Sequence, residues 1–174
     1  MYASPVALAQ SAACDPNSIL GAAVCGEREP RPYSAPAITK PSAKANEATK
    51  YFALSRTADS ITGDLSISAD QIKFANGQII KIERVSTISA YANTISNARR
   101  MAYVFKVWPP SDPPLLNGNR ICNGAIIRFV VMFKEPPSRY NHNTSHIMEY
   151  FSGSAPPASA SSGGFCGSFS YETE

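Results

Sequence analysis

The sequence is poor in charged residues and contains no long hydrophobic run. Asp, Glu, Lys and Arg make up 17% of its 174 residues, against about 25% in typical soluble domains. The formal charge is only +3, and no Lys/Arg run is interleaved with aromatic residues, so no nucleic-acid partner is predicted. No apolar stretch approaches the roughly 20 residues that a membrane-spanning helix requires, so no transmembrane span is predicted.

Histidine and closely spaced cysteine are also scarce, which argues against several catalytic and metal sites. The only histidines are His142 and His146, and no two cysteines have the C-x2-C spacing of a structural zinc site. The two histidines lie four residues apart among Asn, Thr and Ser, a loop composition that lacks the glutamate of the H-E-x-x-H motif. We predict no metal, no cofactor and no catalytic residue. A hydrolase that uses Asp and His residues from loops is the enzymatic alternative.

The chain contains four cysteines, Cys14, Cys25, Cys122 and Cys166. An even number in a small exported domain favours disulfides, and three pairings are possible. The most economical one joins Cys14 to Cys25 and Cys122 to Cys166, because Cys122 and Cys166 each have a glycine close by and adjoin a strand-like run. A cysteine nucleophile would need a histidine beside it in space. Nothing in the sequence brings His142 or His146 to Cys122, so a catalytic cysteine is not predicted.

The N-terminal segment has one feature of an export signal. MYASPVALAQSAACD contains Ala7-Leu8-Ala9, the A-x-A pattern of signal peptidase sites, followed by the polar Gln10. The basic and apolar regions of a signal peptide are missing upstream, so the pattern is either the remnant of a signal or a chance match in an alanine-rich leader. Together with the cysteines, it predicts a periplasmic or secreted protein.

Composition divides the chain into two parts. Residues 1–44 are predicted to be a residual export-signal region and a Pro-rich flexible extension, and residues 45–174 a single β-rich domain. A short helix is predicted over 46–54, because this segment is rich in helix formers. The prolines that punctuate the extension are Pro30, Pro32, Pro36 and Pro41.

From Ser60 onward the apolar residues follow the two-residue period of β-strands, and about seven strands are predicted. Asn76-Gly77 predicts a β-hairpin over 71–85 with a type I′ turn. The almost continuously apolar segment 125–133 predicts a central strand covered on both faces. The other segments are strands at SITGDLSIS, MAYVFKVW (ended by Pro109-Pro110), SHIMEYFSG and FCGSFSYE, a helix or strand at 86–100, and a mobile loop at 154–164.

These elements predict an all-β fold with minor helix. Antiparallel hairpins and meanders connect short strands of this kind into a small barrel or a sandwich. Disulfides would cross-link this fold and stabilise it.

Surface recognition is the best-supported class of function. Trp108, the only tryptophan, ends a predicted strand, where such a residue more often packs as a plug or lid over a barrel core. Otherwise it anchors a partner. The candidate residues for binding a protein or a small ligand are Trp108, Asn117, Asn119, Arg120, His142 and His146.

Three parts of the chain resemble small exported proteins of proteobacteria that have no assigned function. They are SITGDLSISADQIKFANGQ, PPSDPPLLNGNRICNG, and FSGSAPP with GFCGSFSYE. The most specific element is L-L-N-G-N-x-x-C-x-G around Cys122. The resemblance implies a periplasmic or secreted β-rich domain with a disulfide, and it implies no activity.

The predicted function is therefore that of a non-enzymatic exported β-domain. It would bind a protein or small ligand in the cell envelope or extracellular space, and an enzyme inhibitor is one form of it. A loop-based hydrolase and a structural envelope module are the alternatives.

Overall fold

The computed structural model describes residues 47–93, 98–137, 139 and 142–173, which contain an eight-stranded antiparallel β-barrel. Each strand pairs with the next in chain order, and the last pairs with the first. The strands are β1 (Thr49–Ala53), β2 (Leu65–Ile67), β3 (Gln71–Phe74), β4 (Ile79–Ala92), β5 (Arg99–Ser111), β6 (Ile127–Glu135), β7 (Ser145–Phe151) and β8 (Phe165–Glu172). Helix α1 spans Arg56–Ile61, and a 3₁₀ helix spans Leu116–Gly118.

The all-β prediction is confirmed, and the architecture is a closed barrel of eight strands rather than about seven. The additional strand is β1, which occupies most of the segment 46–54, so the helix predicted there is wrong. β1 is extended because it pairs with both β2 and β8, and tertiary pairing of this kind overrides helix propensity. The helix begins later, after Ser55, whose hydroxyl accepts a hydrogen bond from the Ala58 amide at 3.1 Å.

The predicted hairpin is present as β3 and β4, but its turn differs from the expected type. A type I′ turn needs positive φ at two positions, and Gly77 has a φ of +85° whereas Asn76 does not have a positive φ. The Phe74 amide donates to the Gln78 carbonyl at 2.9 Å, and the Asn76 side chain accepts from the Gln78 amide at 3.2 Å. The connection is therefore longer than a two-residue type I′ turn, and Gly77 is its one left-handed residue.

Within the ambiguous segment 86–100, the end of β4 covers 86–92 and the start of β5 covers 99–100, and residues 94–97 lie outside the described part of the chain. β5 continues through Pro109-Pro110 to Ser111, so the prediction that these prolines end the strand is wrong. Proline cannot donate a ladder hydrogen bond. The β5–β6 pairing is accordingly irregular between Lys106 and Ser111.

β6 and β7 are buried on both faces, as predicted for the apolar segment 125–133. On β7, Met148 and Tyr150 face the barrel interior, whereas Ile147 and Phe151 face outward. The inner cluster includes Leu65, Ile72, Phe74, Ile80, Ile82, Val107, Val130, Phe169 and Tyr171, and the outer one includes Ala102, Val104, Phe129, Val131 and Phe133.

Tyr91 and the loop between β7 and β8 pack against the outer cluster. Tyr91 is buried, its ring centroid lies 5.6 Å from that of Phe133, and its hydroxyl donates to Glu149 Oε2 at 2.6 Å. Burial, and secondly the Glu149 carboxylate, raise the pKa of Tyr91. The Ala160 amide donates to the Ala92 carbonyl at 2.9 Å. The loop predicted to be mobile is thus held to the barrel.

The predicted Cys122–Cys166 disulfide is confirmed, with a Cα–Cα distance of 4.8 Å. It joins the β5–β6 loop to β8. The second pairing, Cys14–Cys25, and the Pro-rich extension lie outside the described residues. Within the described part of the chain, no helix has the length and apolar character needed to cross a bilayer.

We expect Cys122→Ala to destabilise the domain strongly. The bridge spans a sequence separation of 44, and its loss should lower the free energy of unfolding by about 2–5 kcal/mol. Urea denaturation measures this change. Dithiothreitol should lower the midpoint of the wild type but leave that of Cys122→Ala unchanged, and equal midpoints for the oxidised wild type and the variant would contradict the prediction.

Candidate functional site

One end of the barrel is filled by α1 and the β5–β6 loop. Ala58, Leu115 and Ile121 pack into the inner cluster there. The segments around Gly63 and Ala75 lie so close together that Gly63 has no room for a side chain. A Cβ on Gly63, whose φ is +60°, would lie 2.5 Å from the Cβ of Ala75. We call this the closed end.

Asp112 organises the loop around Cys122 at the closed end. Its side chain is 6% exposed. Its carboxylate accepts hydrogen bonds from the backbone amides of Ile121, Cys122 and Gly124, at 3.1, 3.2 and 3.0 Å. Such charge-assisted bonds compensate a buried carboxylate. Sequence reasoning missed this role, since an Asp before Pro113-Pro114 has the appearance of an ordinary turn residue.

Three predicted binding residues lie in this loop and have partners within the domain. The side-chain amides of Asn117 and Asn119 donate to the Ser60 carbonyl at 3.4 and 3.3 Å. The Arg120 guanidinium donates to the Asp112 carbonyl. These contacts tie the loop to α1 and to itself, and a role of the three residues in binding a partner stays a prediction.

Trp108 lies on the outer wall of the barrel and is 63% exposed. The expectation that it plugs or covers the core is wrong. Strand alternation explains its position, because Val107 takes the inner position on β5. The Lys106 ammonium lies 5.2 Å from the centroid of the Trp108 ring.

The opposite end of the barrel holds a cavity of about 610 Å³, which we call the open end. Interior positions of β1, β5, β6 and β7 and the residue after β8 line it, together with Phe133, whose side chain belongs to the outer cluster. The cavity reaches solvent, since Thr49, Met101 and Lys134 in its wall are exposed. The wall is formed mainly by Tyr51, Met101, Tyr103, Met132 and Phe133, with Thr49, Lys134, His146 and Thr173 as its polar members.

His146, a residue singled out from the sequence, lies in this wall. Its ring packs edge-on against that of Tyr51, with 5.2 Å between centroids and an interplanar angle of 85°. Its Nδ1 atom is buried and has no hydrogen-bond partner within the described part of the chain. Burial, and secondly the charge of Lys134 on the neighbouring strand, lower the pKa of His146. The neutral imidazole is therefore favoured.

His142 lies instead in the β6–β7 connection, where it is exposed. Among residues 47–93, 98–137, 139 and 142–173, no group of three His, Cys, Asp or Glu side chains has an arrangement that could hold a metal ion.

Two cations border the open end. Lys134 lines the cavity. The Arg84 guanidinium carbon lies 4.1 Å from the centroid of the Tyr103 ring, which is part of the wall, and one of its nitrogens donates to the Thr87 hydroxyl at 2.7 Å. Among the described residues that line the cavity, none is a carboxylate. The charge of this described lining is therefore positive.

Most of the wall was missed by sequence reasoning. Tyr51 fell in the segment predicted to be helical, and Tyr103 and Met132 were recognised only as strand residues. Alternation along a strand can assign each side chain to a face. It cannot say which faces meet, because that depends on the order in which eight strands pair.

Comparison with known proteins adds no inference by similarity. No protein-family model matches the chain, and no curated protein or solved structure matches it at a significant level.

We expect Asp112→Ala to destabilise the closed end. The change removes the acceptor of three backbone amides, two of them buried, and should lower the free energy of unfolding by about 2–4 kcal/mol. Asp70→Ala is the matched control, since Asp70 is exposed and accepts from the Ser68 hydroxyl in a turn. Thermal denaturation of both variants tests the prediction, and a similar small loss in both would contradict it.

We expect His146 to make the domain less stable in mild acid. The pKa of His146 in the folded state lies below its ordinary value of 6.5. Below that pH the unfolded chain takes up a proton that the folded one does not, so stability falls with decreasing pH until the folded-state pKa is passed. The melting temperature of His146→Gln, measured from pH 7.5 to 5, should fall less than that of the wild type.

His142→Gln is the control for this measurement, because His142 is exposed in a loop. Its pH profile should run parallel to that of the wild type. A profile of His146→Gln that is equally parallel would rule out the role of His146.

Proposed function

We propose that this protein is a non-enzymatic, exported binding domain that holds a small ligand in the open end of its barrel. The observation that carries the proposal is the cavity of about 610 Å³. Ligand sites commonly measure about 300–1,000 Å³ and combine an apolar wall with a few polar groups. An eight-stranded barrel has an interior of the size that holds one small ligand.

The side chains of the wall are suited to contact with an apolar body. Tyr51 and Tyr103 offer large rings that lose little conformational entropy on binding. Met101 and Met132 are flexible and polarisable, so they adapt to an irregular shape.

Export is supported by the disulfide. Bridges such as Cys122–Cys166 persist in oxidising compartments, including the bacterial periplasm and the extracellular space. The A-x-A pattern at Ala7-Leu8-Ala9 is consistent with the same location. We therefore place the binding function in the cell envelope or outside the cell.

The hydrolase alternative is less well supported. General acid–base chemistry would need His146 beside a carboxylate or a nucleophile, and the charged group that acts on it is Lys134. The buried carboxylate of Glu149 faces the outer cluster, where it binds Tyr91.

A protein partner is the second candidate, and it includes an inhibitor of an enzyme. The observation that favours it is Trp108, which is exposed beside Lys106 on the outer wall. Tryptophan is the residue type most enriched in interface hot spots. Nothing specific favours a purely structural module of the envelope over these two functions.

We expect the open end to bind N-phenyl-1-naphthylamine, a neutral aromatic probe whose fluorescence rises in apolar surroundings. Thr49→Trp places a ring in the cavity from an exposed position and should weaken binding about tenfold or more, since displaced probe atoms lose their buried contacts. Fluorescence titration measures the dissociation constants.

Thr57→Trp is the matched control, because Thr57 is exposed on α1 and does not line the cavity. Its dissociation constant should equal that of the wild type. The proposal fails if the wild type shows no saturable binding, or if Thr49→Trp binds the probe as tightly as Thr57→Trp does.

A further inference from the structure

The charged side chain that lines the cavity is a cation, Lys134, and a second cation, Arg84, lies against the wall; these two charges indicate the chemical class of the ligand. We infer that the cavity takes an amphipathic anion, a small molecule with an apolar or aromatic body and one carboxylate, sulfonate or phosphate group. Its body would contact Tyr103 and Met132, and its anionic group would lie at Lys134 and Arg84. The inference rests on the proposed binding function and specifies its ligand.

Neither cation has an acidic partner within the described residues. The salt bridge found there joins Arg100 to Glu135 at 2.9 Å, so a nearby arginine of the same barrel end is neutralised while Lys134 and Arg84 are not. Arg84 carries five N–H donors, and the hydrogen bond it makes within the described residues goes to Thr87. The remaining donors can bind an anion.

The position of Arg84 favours recognition rather than simple solvation. Its guanidinium is held over the Tyr103 ring at 4.1 Å and fixed by the Thr87 hydroxyl. A guanidinium held in this way loses less freedom when it binds a carboxylate or a sulfonate. Because Tyr103 also lines the cavity, the fixed charge adjoins the apolar wall.

The rest of the wall suits the body of such a ligand. Tyr51 and Met132 are half-buried and pack against the inner cluster, so they offer an apolar surface beside the two cations. A cationic ligand would be repelled by Lys134 and Arg84, and a neutral one would leave both cations unused.

The test compares two probes that differ in one group. N-phenyl-1-naphthylamine and 8-anilinonaphthalene-1-sulfonate share the same ring system, and the second adds a sulfonate. The wild-type protein should bind the sulfonate about fivefold or more tightly than the neutral probe, because two cations face the added charge. The preference should shrink in high salt, which screens exposed charges.

Variants assign the preference to its residues. Lys134→Gln and Arg84→Gln should each weaken binding of the sulfonate about threefold or more while leaving the neutral probe within about twofold. Lys106→Gln removes the same charge from the outer wall, where Lys106 lies beside Trp108, and should change neither probe. Unaltered binding of the neutral probe shows that each variant keeps its cavity.

The outcomes separate this inference from the proposed function. Saturable binding of the neutral probe, with no preference for the sulfonate, would overturn the anion inference and leave the cavity as a binding site. A sulfonate preference that Lys106→Gln reduces as much as Lys134→Gln does would also overturn it. Absence of saturable binding of the neutral probe would instead overturn the proposed function.

Discussion

Closure of the barrel depends on a short contact between β1 and β8. Two residue pairs form it, Phe52 with Glu172 and Ala53 with Tyr171, and the Leu54 amide extends it with a 2.9 Å hydrogen bond to the Ser170 carbonyl. The buried hydroxyls of Thr62 and Tyr171, 2.7 Å apart, reinforce the same seam. Without this contact the sheet would be open, and the inner cluster and the cavity would lose one wall.

The two ends of the barrel are built differently. At the closed end, the Asp112 carboxylate and the Cys122–Cys166 bridge hold the β5–β6 loop against the core. At the open end, a cavity reaches solvent, and Lys134 and Arg84 lie beside its apolar wall. The proposed binding function uses this difference, since a ligand site requires rigid support as well as access.

Sequence reasoning predicted those features of the fold that depend on local pattern. The two-residue period predicted a strand at SHIMEYFSG, and in β7 Ile147 and Met148 lie on opposite faces as that period requires. It failed at β1, where good helix formers are drawn into a strand by pairing on both sides. Of the residues in the candidate site, His146 was predicted from the sequence. Asn117, Asn119 and Arg120, which were also predicted to bind a partner, lie at the closed end. They belong to the L-L-N-G-N-x-x-C-x-G element, which forms a tight loop that carries the disulfide.

The sequence by itself determined the all-β class and the hairpin at Asn76-Gly77, because both follow from residue types at short spacing. It favoured Cys122 with Cys166 among three possible pairings, and the structure decided that pairing. Tertiary structure alone decided that the barrel has eight strands and closes, that Trp108 faces outward, and that His146 joins Tyr51 in one wall. The physical reason is that a strand's period specifies two faces but not its neighbours. Tyr51 and His146, which are far apart in the sequence, come into contact only when all eight strands have paired in their final order.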